Sequence, residues 1–117
     1  MKLQDLVTAE QPIARLMEQK MSALTAYRLA LIARQMEPYL EAFKKQRLEI
    51  ARRYGEERDG QVTVPPERVT EFLNEMQPIL DEEVEIKFRP ISPKDIDGQI
   101  SPQDIYSLWW LFDNEGE

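Results

Sequence analysis

Between Ala23 and Tyr54 the chain holds thirty-two consecutive residues whose pattern is helical almost throughout, and no other feature limits the fold as strongly. Ser22 can cap the run, because its hydroxyl can accept from the amides of the first turn. Gly55 marks the stop, and Arg52 and Arg53 sit where the negative end of a helix favours cations. At ~1.5 Å per residue such a helix is a rod roughly 48 Å long. Its seam is a heptad of Leu29, Met36, Phe43 and Ile50, interleaved with Ala26, Ala33, Leu40, Arg47 and Tyr54. The first half, Ala23 to Ala33, is apolar on nearly every side and is expected to be wrapped by other elements. The second half is amphipathic, with Lys44, Lys45, Glu49, Arg52 and Arg53 outside the seam. Pro38 removes the bond to the Arg34 carbonyl and is expected to kink the rod.

The remaining segments are short. Leu3 to Gln19 carries two i, i+3, i+4 apolar sets, Leu3-Leu6-Val7 and Ile13-Leu16-Met17, separated by Pro12. A proline suits a first helical position, so the reading is one helix to about Ala9 and another from Pro12. Glu56 to Gln61 is a polar loop with Asp59-Gly60 as a turn. Val62-Thr63-Val64 reads as an edge strand, and Val84 to Arg89 alternates apolar and charged residues as a strand does. The two are expected to pair. Pro66 opens a helix whose buried face is Val69, Phe72, Leu73, Met76, Ile79 and Leu80. Ile91-Ser92-Pro93-Lys94-Asp95-Ile96 is echoed by Ile100-Ser101-Pro102-Gln103-Asp104-Ile105. In each copy serine caps, proline takes the first helical position and aspartate favours the positive helix end. Gly98 is expected to stop the first copy, while the second continues through Phe112. A chain of 117 residues buries enough surface for one core. The expected fold is therefore α+β, mainly α: a long kinked helix packed against shorter helices with a small two-stranded sheet. Residues 1–112 are expected to form one helical domain, and 113–117 an acidic, disordered tail.

Composition narrows the chemistry. The chain has no cysteine and no histidine, which removes thiolate zinc sites, cysteine nucleophiles and the usual general base near neutral pH. Four glycines form no phosphate-cradling pattern, and Asp81-Glu82-Glu83 with Glu85 lacks the alternation and glycine turn of a calcium loop. The reading is no enzyme, with no catalytic residue, metal, cofactor or small-molecule substrate. The net charge of −7 is unevenly placed: residues 1–58 hold 11 Lys/Arg and 8 Asp/Glu, whereas 59–117 hold 4 and 14. The halves should attract, within one chain or between chains. A net-acidic chain is a poor general ligand for phosphate backbones, so nucleic acid is not the expected partner. Met1 to Ala9 has no apolar signal core, and no stretch approaches a membrane span. The expected location is the cytoplasm, with no membrane contact.

Two stretches are candidate binding surfaces. Tyr106, Trp109, Trp110 and Phe112 fall within seven residues, and adjacent residues on a helix point ~100° apart. Either both tryptophans close the core, or one does so and the other is left as an interface anchor. Lys44, Lys45, Arg47, Arg52 and Arg53 form a secondary candidate, a cationic stripe interrupted by Glu41 and Glu49. The pairs Glu41–Lys45 and Glu49–Arg53 are the expected decoration of an exposed helix. Arg47, on the apolar seam, either fixes a partner or register or lies along the seam with its guanidinium in water.

Ala26-Tyr27-Arg28-Leu29-Ala30, Glu41-Ala42-Phe43, Arg47-Leu48 and Arg53-Tyr54-Gly55-Glu56 together resemble a family of small helical proteins encoded by tailed phages and prophages. The likeness continues through Asp59-Gly60 and Leu80-Asp81-Glu82-Glu83-Val84-Glu85, while Trp109-Trp110 lies outside it. It implies a viral setting in a host cell and supplies no catalytic residues. With it, the expected role is protein–protein interaction, by self-association or with a larger protein, as a minor virion component or assembly chaperone. The alternative is an inhibitor or modulator of a host protein, and a third reading is a nucleic-acid module using Lys44 to Arg53.

Overall fold

A computed structural model describes residues 1–96 and 100–112. The order is α1 (Leu3–Leu16), α2 (Ala23–Tyr54), β1 (Glu56–Arg58), β2 (Gln61–Thr63), a 3₁₀ turn at Pro66–Arg68, α3 (Val69–Leu80), a second 3₁₀ turn at Pro93–Asp95, and α4 (Pro102–Ser107). This is an α+β fold, mainly α. The molecule measures 48 × 29 × 25 Å, so the length of α2 sets its long axis. None of its described helices is long and apolar enough to cross a membrane.

α2 forms where the pattern places it. The Ser22 hydroxyl accepts from the Thr25 amide at 3.2 Å, and the helix continues across Pro38 to Tyr54. Its buried seam is Thr25, Leu29, Ile32, Met36, Leu40, Phe43 and Ile50. The heptad positions Leu29, Met36, Phe43 and Ile50 are all in it, but Ala26 faces solvent because the seam steps back four residues from Leu29, to Thr25. Arg47 is in phase with the seam yet exposed, so it needs no buried counter-charge.

α1 corrects the expectation of a break at Pro12. One helix runs from Leu3 to Leu16, and Pro12 is buried on the same stripe as Leu3, Leu6, Ala9, Ile13 and Leu16. The lost hydrogen bond falls on the carbonyl of Thr8, an exposed residue where water can satisfy it. The proline ring meanwhile serves as an apolar contact.

The sheet also differs from the expected pairing. β1 and β2 form an antiparallel hairpin with Glu56 opposite Thr63 and Arg58 opposite Gln61. Asp59 and Gly60 both have positive φ, 52° and 79°, as a two-residue type I′ turn requires. Turn chemistry sets this register, although Glu56-Glu57-Arg58 carries no apolar alternation to announce a strand. Val84 to Arg89 is extended but pairs with no strand among the described residues; it alternates buried and less buried residues and lies along α2 as a strap. The side chain of Gln35 substitutes for a neighbouring strand: its Nε2 donates to the Lys87 carbonyl at 2.6 Å, and its Oε1 accepts from the Lys87 amide at 2.9 Å. An isolated antiparallel bridge joins Lys2 to Glu83 at one end, and a parallel one joins Ile91 to Phe112 beyond the other.

The core is one cluster reaching from Leu3 to Phe112. α3 contributes less than expected: Met76 alone is buried, Leu73 is exposed, and Val69, Phe72, Ile79 and Leu80 are half-buried. Ion pairs tie the cationic half to the acidic half within the chain, through Lys2–Asp81 at 3.6 Å, Arg15–Asp104 at 2.6 Å and Arg53–Glu75 at 2.6 Å. Asp81 is thereby engaged, in keeping with its place at a helix end. The positions expected to stop the first Ser-Pro repeat and to form an acidic tail, Gly98 and residues 113–117, lie outside the described residues.

Gly55 ends α2 in extended backbone, φ −122°, so no left-handed conformation demands glycine there. The requirement is space: a Cβ would fall against the Thr63 carbonyl oxygen, inside van der Waals contact. Gly55→Ala is expected to lower stability by about 1–3 kcal/mol through overpacking between α2 and β2. Urea denaturation of this variant beside Gly60→Ala, whose cost comes from its positive φ instead, checks the origin of the effect.

Candidate protein-interaction surface

The aromatic end is divided by the fold. α4 starts at Ser101, whose hydroxyl accepts from the Asp104 amide at 3.1 Å. Asp104 accepts two hydrogen bonds from Arg15, from Nε at 3.1 Å and Nη2 at 2.6 Å, which dock α4 on α1. The Arg15 guanidinium, with help from Ser101, holds the Asp104 carboxyl below the usual carboxylate range.

α4 then stops at Ser107 rather than continuing to Phe112 as expected, and the turns that follow carry Leu108 and Leu111 into full burial. Trp110 is buried with its ring edge-on to Phe88, centroids 5.4 Å apart at 77°. Phe112 is buried beside Ile91. These two of the four candidate anchors belong to the core and offer no free surface. Tyr106 and Trp109 remain outside, 82% and 62% exposed. A turn reverses the chain where a helix would have rotated it, which separates the adjacent tryptophans.

The cationic stretch is also dispersed. Lys44 bonds Glu10 at 2.5 Å, Arg53 bonds Glu75, and Arg52 lies 3.8 Å from Glu57. The expected pairs within α2, Glu41–Lys45 and Glu49–Arg53, are not formed among the described residues; Arg53 reaches Glu75 on α3 instead, and it is Lys44, not Lys45, that finds an acid, Glu10 on α1. Lys45 and Arg47 are without an ion pair among the described residues. Arg47 stands at the mouth of an apolar groove of about 620 Å³ floored by Leu48, Ala51, Val62, Phe72 and Leu73.

The largest departure from expectation lies on the first half of α2. It is not wrapped: Ala23, Ala26 and Ala30 face solvent, and Leu24, Tyr27 and Leu31 are 57%, 62% and 42% exposed. Leu24, Tyr27 and Leu31 stand at i, i+3 and i+7, one stripe of the helix. Between this stripe and the strap is a trough of about 440 Å³ lined by Leu24, Tyr27, Leu31 and Phe88, with Arg28, Lys87 and Arg89 at its edges. Among the described residues no carboxylate lines it, although the chain has 22 Asp and Glu, and none of the three cations has an ion pair. The signal for this surface was present in the sequence. A helix apolar on all sides needs apolar cover on all sides, and the short remaining segments of this chain supply too little.

Comparison with known proteins finds no family model, no curated protein and no solved structure that matches this chain.

Two outcomes follow from the aromatic end. Trp109→Ala should alter stability by no more than about 0.5 kcal/mol, whereas Trp110→Ala should cost about 3–5 kcal/mol. Trp110→Phe should cost far less than alanine, since the indole Nε1 is buried without an acceptor among the described residues and its removal leaves nothing unpaired. Chemical denaturation of the three variants gives the comparison. For Asp104, a carboxyl lowered in the folded state stabilises above the unfolded pKa of about 3.9 and loses that contribution as pH falls through the folded value. The stability gap between the wild type and Asp104→Asn should therefore be widest near neutrality and shrink below about pH 4, read from urea midpoints across that range.

Proposed function

We propose that this chain is a non-enzymatic protein-interaction protein that docks through the uncovered first half of α2. In the phage setting implied by the sequence resemblance, its role is that of a minor virion component or assembly chaperone. One observation carries the reading: Leu24, Tyr27 and Leu31 form a contiguous apolar stripe in water on the helix whose other face carries the core seam. Completing their burial contributes on the order of 1 kcal/mol each, so the face gains from a covering surface. Tyrosine is enriched at interface centres, the two leucines add apolar area around it, and the Arg28, Lys87 and Arg89 edge gives the polar rim that directs a partner. Exposed Tyr106 and Trp109 offer a smaller, separate contact. The absence of histidine and cysteine supports a binding role over a catalytic one.

A photo-crosslinking amino acid in place of Tyr27, with the protein expressed in its host during phage production, tests the reading. Discrete protein adducts are expected, and they should disappear when Leu24 and Leu31 are changed to serine in a variant that keeps its helical spectrum. Adducts to nucleic acid or lipid alone, or none, would overturn it. A discrete adduct with a host protein formed in the absence of other phage proteins would replace the assembly role with that of a host-protein modulator.

A further inference from the structure

The cation-edged face has a counterpart on the other side of the same helix. Between α1 and α2 lies a trough of about 270 Å³ lined by exposed Ala14 and Met17 and half-buried Ala33, with the buried Ile13, Met36 and Leu40 beneath them. Its edge is acidic. Lys44 is engaged by Glu10, and Glu37 and Glu41, one turn apart, have no ion pair among the described residues. Leu24 and Ala33 are nine residues apart, as are Leu31 and Leu40; at ~100° per residue each pair sits half a turn apart. α2 therefore presents an apolar stripe with cations on one side and an apolar trough with acids on the other.

The geometry points to a second copy of this chain as the occupant of the exposed stripe. This rests on the protein-interaction reading above and names its partner. Leu24, Tyr27 and Leu31 of one copy pack into the trough of the next against Ala14, Met17 and Ala33, with Arg28, Lys87 and Arg89 of the first opposite Glu37 and Glu41 of the second. A two-fold pairing of the stripe with itself would set cations against cations, and a pairing of the trough with itself would set acids against acids. Only the unlike faces complement each other. Because they lie on opposite sides of one helix, each added copy leaves one of each kind open. The contact repeats, closing as a ring or extending as a filament according to the rotation per step.

The test is light scattering of the full chain over a wide micromolar range, with two charge-reversed variants, Arg28→Glu/Lys87→Glu/Arg89→Glu and Glu37→Lys/Glu41→Lys. Arg28 is half-buried and the other four positions are exposed, and circular dichroism verifies that each variant folds. The wild type should grow past the dimer with concentration and do so less at high salt. Each variant alone should need about tenfold or more protein to associate. Mixing the two variants in equal amounts should restore association, since the intact cationic face of one meets the intact acidic trough of the other and the reversed surfaces also match. Three results would overturn the proposal: a wild-type monomer throughout, a dimer that survives Glu37→Lys/Glu41→Lys, or a mixture that stays monomeric. A monomer that still gives protein adducts at position 27 would remove self-assembly and leave the docking face standing, while failure of both experiments would remove both.

Discussion

The buried seam of α2 is the contact on which α1, α3, the hairpin and the strap depend, and through α1 it also supports α4. Leu29, Ile32 and Met36 are almost fully enclosed, and α1, α3, the hairpin and the strap are arranged around the helix that carries them. No other described segment exceeds fourteen residues of regular structure. Isolated helices and two-stranded ribbons of such length are marginal in water, so their stability comes from the surface α2 provides. The hairpin shows the dependence most directly, since it is held against the end of α2 by an approach so close that residue 55 has no room for a side chain.

A single helix cannot be covered on all sides by so little chain, and the division of its circumference is what gives the molecule binding surfaces. One side is taken by α1 and the core. The strap occupies another, held by paired bonds from Gln35 rather than by a sheet. What is left over the first half is apolar, and the ion pairs that join the cationic and acidic halves leave Arg28, Lys87 and Arg89 beside it without counter-charges among the described residues. Packing and exposure of this helix are therefore consequences of the same shortage of cover.

Much of the architecture was legible from the residues in order. The limits of α2 from Ser22 to Gly55, its heptad, the serine caps of both Ser-Pro repeats and the mainly α character all follow from local rules that operate within a turn or two. The structure departs from local preference where a distant contact overrides it. Pro12 would end a helix in water, but its ring is worth burying in the α1 stripe. Val84 to Arg89 has the alternation of a strand, yet its neighbour is a helix. Trp109 and Trp110 were legible as a pair of which one could be core, but which one was settled by the turn after Ser107.

The sequence by itself determined where backbone hydrogen bonds could be satisfied locally: the long helix, its caps, the Asp59-Gly60 turn, and a composition without histidine or cysteine. These depend on residues a few positions apart, whose energies are present in any conformation of the rest of the chain. Only the tertiary structure decided which apolar residues are core and which are surface. Leu29 and Leu31 have the same side chain on the same helix, and one is 2% exposed and the other 42%. The difference lies in what packs against each, a quantity set by the volume and reach of segments distant in sequence, and no local rule contains it.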